Sequence, residues 1–93
     1  MVREREYSPN QLKNTIKKGG IGVIANGPNT AEMCDFLGHV GFDAAFVDFE
    51  HGKVSWSELA DITRACELWG MSSVVRVNRL DEAQILRTLD QGA

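Results

Sequence analysis

Three times between Gly20 and Ala93 a short apolar run gives way to a longer stretch whose apolar residues recur at helical spacing, with only a few residues between the two. A helix of ten residues and a strand of five cover nearly the same distance, about 15 Å. Each helix therefore returns the chain to the end where its strand began, and the next strand must run parallel to the last through a right-handed crossover. The runs are residues 21–25, the segment from Asp43 to the acids at Asp48 and Glu50, and residues 73–78. The helical stretches carry Ala31, Cys34, Phe36 and Leu37, then Trp56, Leu59, Ile62, Cys66 and Trp69, then Ala83, Leu86 and Leu89. A short helix with a thin apolar stripe, Leu12 and Ile16, is expected ahead of them, capped at Ser8-Pro9 and ended by Lys17-Lys18 and Gly19-Gly20. The class is α/β.

Composition excludes several partners. With 93 residues, 43% hydrophobic and 25% charged, the chain reads as globular sequence that fills one small core. Its net charge of −3 and scattered Lys/Arg residues provide no basic face for nucleic acid. No apolar run approaches the ~18 residues that suggest a membrane span, and the polar opening Met1-Val2-Arg3-Glu4-Arg5-Glu6 does not resemble a secretory signal. No membrane is expected, and a cytoplasmic location is. Cys34 and Cys66 lie far apart without a C-x-x-C pair, and read as small buried apolar residues.

The special residues follow the strands. Asn26-Gly27-Pro28-Asn29 follows the first, Asp48, Glu50 and His51 end the second, and Arg76 and Asn78 end the third. Parallel strands bring all three ends to one face, where barrel and open α/β folds bind their ligands. Alternation puts Phe46, Asp48 and Glu50 on one side of the second strand, with Val47 and Phe49 on the other. In the third strand Arg76, with Val74 and Asn78, can share the side of those acids. A carboxylate taken out of water without a partner costs several kcal/mol or more, so these charges need each other or a ligand. An internal ion pair of Arg76 with Asp48 or Glu50 is one reading, and a reactive site is the other. Gly20-x-Gly22 enters the first strand instead of linking it to a helix, and it lacks the G-x-G-x-x-G spacing of a dinucleotide site.

The segments Gly41-Phe42-Asp43, Asp48-Phe49-Glu50-His51-Gly52, Val75-Arg76-Val77 and Leu89-Asp90-Gln91-Gly92-Ala93, in this order and spacing, resemble the HpcH/HpaI family of metal-dependent pyruvate aldolases. The likeness runs from about Gly19 to Ala93. It implies a (β/α)₈ TIM barrel of which residues 1–93 form the N-terminal part: a helix, then three strand-helix units, an incomplete barrel. It implies reversible aldol cleavage of a 4-hydroxy-2-oxo acid or a 2-keto-3-deoxy sugar acid to pyruvate and an aldehyde. A divalent ion, Mg²⁺, Mn²⁺ or Co²⁺, would bind the keto acid and stabilise its enolate as a Lewis acid, held by residues beyond Ala93 and by none in this chain.

Carried over by the same resemblance, His51 is the acid/base group, Arg76 binds the substrate's pyruvate oxygen and stabilises the enolate, and Asp48 orients His51 or Arg76. Asp90 matches the family's Leu-Asp-x-Gly aspartate. A helix C-terminus lies on the opposite face of its own barrel, so a catalytic part for Asp90 implies a neighbouring subunit or an unusual loop, and the family implies a homo-oligomer, commonly a hexamer. Residues 1–93 alone are expected to be inactive. Two other readings stand beside this one: a non-catalytic barrel remnant, and a small α/β module that binds an anionic metabolite through Arg76 and the helix N-termini.

Overall fold

The computed structural model describes residues 10–50 and 54–93. The elements are α1 (Gln11–Lys17), β1 (Ile24–Asn26), α2 (Ala31–Val40), β2 (Ala44–Asp48), α3 (Trp56–Leu68), β3 (Ser72–Arg76) and α4 (Glu82–Asp90). The strands form one parallel sheet in the order β1-β2-β3. Its register pairs Ile24 with Ala44 and Asn26 with Phe46, then Ala44 with Ser72 and Asp48 with Arg76. The strand-helix alternation and the parallel sheet expected from the sequence are both present.

Each helix starts where its cap residue dictates. Thr30 accepts a hydrogen bond from the Met33 amide at the start of α2, and Asp81 accepts one from Ala83 at the start of α4. Ser55 forms a reciprocal capping box with Glu58 at α3. The cap of α1 is Asn10, whose side chain accepts from the Lys13 amide. The expected cap at Ser8-Pro9 lies outside the described residues. At the other end of α2, Gly41 adopts a left-handed φ of 102°, which a side chain disfavours.

The core lies between the sheet and helices α2 and α3. Cys34, Ala45, Val47, Leu59, Ile62, Ala65, Cys66 and Met71 form it, with Phe42, Phe49 and Val75 packed against it. Both cysteines are free and buried, as their sequence setting suggested. Their thiols face each other across the α2–α3 contact, and the Cys34 contact together with burial pushes the Cys66 thiol far above its ordinary pKa.

Several apolar positions depart from the sequence reading. The first apolar run pairs as a strand only from Ile24, because the Val23 amide donates to the Asp43 carboxylate and the Val23 carbonyl accepts from the Asp43 and Ala44 amides. Ile21 lies ahead of β1 and is 86% exposed, and Ile24, on a strand with one neighbour, is also exposed although the apolar run containing it reads as a buried strand. Phe36, Leu86 and Leu89 also face outward. The periodicity located those helices correctly, and the sheet and helices present bury only one side of them.

Trp69, expected as a packing residue on α3, becomes its C-cap and lies over Gly38 of α2, with its indole N–H donating to Asp35 at 2.9 Å. A Cβ added at Gly38 would sit 2.5 Å from the Trp69 Cβ and 2.8 Å from Cδ1. Alanine improves helix propensity by about 1 kcal/mol, whereas the overlap involves the rigid root of the tryptophan side chain and costs about 1–3 kcal/mol. Gly38→Ala is therefore expected to lower stability by up to about 2 kcal/mol, the balance of those two effects. A fall in the denaturant midpoint at constant slope checks this, and a raised midpoint would show that propensity wins.

Candidate active site

The carboxyl ends of β2 and β3 are adjacent in register, which sets Asp48 beside Arg76. The guanidinium clasps the carboxylate at two points: Nε donates to Oδ1 at 3.1 Å and Nη2 to Oδ2 at 2.5 Å. Glu50 Oε2 lies 3.5 Å from Arg76 Nε, so the second acid joins the same cluster. The Phe46 ring lies below, with its centroid 5.9 Å from the guanidinium carbon. Phe46, Asp48 and Arg76 thus share the side of the sheet that the alternation assigned to them.

The sequence creates this geometry locally. The Phe49 amide donates to the Arg76 carbonyl, extending the ladder one residue past the strand end. Beyond it the chain turns, and the Glu50 amide donates to Asp48 Oδ1 at 2.8 Å. Asp48 therefore has two tasks, holding Arg76 and fixing the backbone at Glu50. The short two-point hydrogen bonding to Asp48 raises the pKa of Arg76 further and locks it in the charged form. The ion-pair reading of Arg76 is thus realised with both acids. The pair is not sealed from solvent: the Arg76 side chain is 44% exposed, leaving part of a fixed cation open at the carboxyl end of a parallel sheet.

His51 lies outside the described residues, as do Gly52 and Lys53. Asp90 is exposed at the C-terminal end of α4. The next residue's carbonyl accepts from Thr63 of α3 at 2.6 Å, and Gly92 lines a cavity with Met71 and Ser72 at the start of β3. Asp90 therefore sits toward the opposite end of the sheet from Arg76, and the structure does not bring the two together. Asn78 also leaves the position that alternation gave it. Strand β3 ends at Arg76, and Asn78 lines a cavity with Phe49 and Trp56 on the helix side.

Among the described residues no group of three or more His, Cys, Asp or Glu side chains is placed to hold a metal ion. Asp48 and Glu50 are turned toward Arg76. This donor set does not fit the divalent ion implied by the sequence resemblance. No helix among the described residues is long and apolar enough to cross a membrane.

No protein-family model matches the chain. A 2-dehydro-3,6-dideoxy-6-sulfogluconate aldolase from Pseudomonas putida is 34% identical over 82 residues, which cover 88% of this chain and 31% of that protein. Among solved structures, the HpcH/HpaI aldolase from Desulfitobacterium hafniense DCB-2 superposes with a TM-score of 0.76 at 27% identity, over 88% of this chain and 32% of that one. The citrate synthase SbnG superposes with a TM-score of 0.79 at 28% identity, over 91% and 35%. The chain spans about a third of the length of these relatives. In sequence and in fold alike, it is similar to one third of the HpcH/HpaI-type aldolases, and its three parallel strand-helix units are the part of their TIM-barrel fold that it carries.

Proposed function

We propose that residues 1–93 supply the N-terminal three strand-helix units of a single barrel domain that cleaves a 4-hydroxy-2-oxo acid, or a 2-keto-3-deoxy sugar acid, reversibly to pyruvate and an aldehyde. The observation that carries this reading is the Arg76–Asp48 pair at register-matched strand ends, in a chain similar to aldolases. Aldol cleavage removes a proton from the substrate hydroxyl and leaves negative charge on the pyruvate oxygen as the carbon–carbon bond breaks. A cation held in place before the reaction lowers the energy of that charge without having to reorganise. Arg76 has this character, because Asp48 grips it at two points and leaves it partly open. Asp48 is then a positioning residue, acting through Arg76 and through the Glu50 amide just ahead of His51. His51 is assigned the proton transfer, for which an imidazole that titrates near neutrality is suited.

The divalent ion, Mg²⁺, Mn²⁺ or Co²⁺, is assigned no ligand among the described residues, and its donors belong to later strands of the domain. Asp90 is assigned a role only across a subunit boundary in a homo-oligomer such as a hexamer. The substrate is a small keto acid in a cytoplasmic enzyme.

Pyruvate release from a 4-hydroxy-2-oxo acid, with Mn²⁺ or Co²⁺ added, tests the reading. It is measured on residues 1–93 alone and on residues 1–93 joined to the later strands of a HpcH/HpaI relative. Turnover is expected only in the joined protein. The open strand edges and exposed Ile21, Phe36, Leu86 and Leu89 should also make residues 1–93 alone associate in size-exclusion runs. Turnover by residues 1–93 alone would remove the need for later strands. A folded but inactive joined protein would remove the aldolase reading.

A further inference from the structure

On the helix side of the sheet a cavity of about 270 Å³ opens between the ends of β2 and β3, the start of α3, and α4 as far as Arg87, lined by Phe49, Trp56, Val77, Asn78, Gln84 and Arg87. Phe49 packs against the core, so this cavity and the Asp48–Arg76 pair lie on opposite faces of the sheet. Three groups are layered along its wall. Phe49 stacks on Trp56 with centroids 4.9 Å apart at 29°, and the Arg87 guanidinium carbon lies 4.2 Å from the centre of the Trp56 ring.

That contact holds the cation without neutralising it. Arg64 and Arg76 each grip a carboxylate, whereas Arg87 has no carboxylate partner among the described residues. Stacking occupies the face of a guanidinium and leaves the N–H donors on its edge free. The amides of Asn78 and Gln84 line the same cavity, and Phe49, Val77 and Ala83 provide an apolar wall. The volume lies just below the ~300–1,000 Å³ usual for drug-sized ligands, which suits a small molecule.

We propose that this cavity is a binding site for a small aliphatic carboxylate, held two-pronged by Arg87, with its short carbon chain against Phe49 and Val77. The planar guanidinium edge matches a carboxylate's two oxygens, and the apolar wall rewards a chain of two or three carbons. The site is separate from the Arg76 cluster and does not depend on the aldolase reading.

Equilibrium dialysis of residues 1–93, alone and joined to the later strands of a HpcH/HpaI relative, against radiolabelled butyrate tests it, because the readout is independent of the oligomeric state. One butyrate per chain is expected to bind saturably, at millimolar concentration or below. Arg87→Met should weaken binding at least tenfold, and Arg64→Gln, on the exposed side of α3, should change it less than twofold. Asn78→Ala provides a second variant that leaves the Trp56–Arg87 stack in place and should weaken binding several-fold, with far-UV circular dichroism matched to wild type. Uptake that does not saturate, equal loss in Arg64→Gln, or unchanged binding in both Arg87→Met and Asn78→Ala overturns the proposal. Competition by inorganic phosphate more effective than by acetate or propionate would also overturn it, because that order would make the site an anion site without an apolar component.

Discussion

Replacing His51 with alanine in the complete protein is expected to lower kcat for aldol cleavage by about 10²–10⁴-fold, the usual worth of a positioned general acid or base. Metal affinity is expected to stay nearly unchanged. The two expectations come from one assignment, in which His51 moves a proton and does not ligate. Among the described residues, Asp48 Oδ1 accepts from the Glu50 amide, and Glu50 directly precedes His51 in the sequence. Steady-state rates and a metal titration on the same variant check the prediction. A loss of metal affinity that accounts for the loss of rate would make His51 a ligand and overturn the proton-transfer role.

Replacing Arg76 with alanine is expected to reduce enolisation of pyruvate by about 10²–10³-fold, comparable to removal of one preorganised donor to a developing oxyanion. The variant loses the fixed positive charge and leaves Asp48 and Glu50 side by side without the cation between them. Exchange of the pyruvate methyl protons with deuterated water reads enolisation directly, apart from carbon–carbon cleavage. Arg76→Lys keeps the charge but loses the planar two-point grip on Asp48, so partial recovery is expected from it. If Arg76 were only a structural ion pair, Arg76→Ala would lower the unfolding midpoint while the folded fraction enolised pyruvate at the wild-type rate. That result would end its catalytic assignment.

The site was legible in the sequence to the extent that strand alternation determines it. Asp48 and Arg76 were expected on one face because both end parallel strands, and the register of β2 against β3 places them side by side. Alternation could not carry Asn78 to the same place, because the strand ends two residues earlier and the chain leaves its pleat there. The Arg87–Trp56 contact was not legible at all. Trp56 opens α3 and Arg87 lies midway along α4, so no period within one helix relates them, and only the packing of two helices on neighbouring strands brings them together.

By itself, the sequence determined the order and type of the elements and the parallel direction of the strands, since these depend on neighbours a few residues away or on connection lengths. Only the tertiary structure decided which apolar residues are buried. Leu59 and Leu89 occupy similar places in their periodic patterns, yet Leu59 is fully covered by the sheet and α2, whereas Leu89 is 57% exposed. Burial depends on what lies opposite a side chain, and a residue's own helix does not specify that. The same holds for the charge of Arg76. An arginine at the end of a strand is only a cation until a second strand, in register, places a carboxylate against its edge and fixes where that charge points.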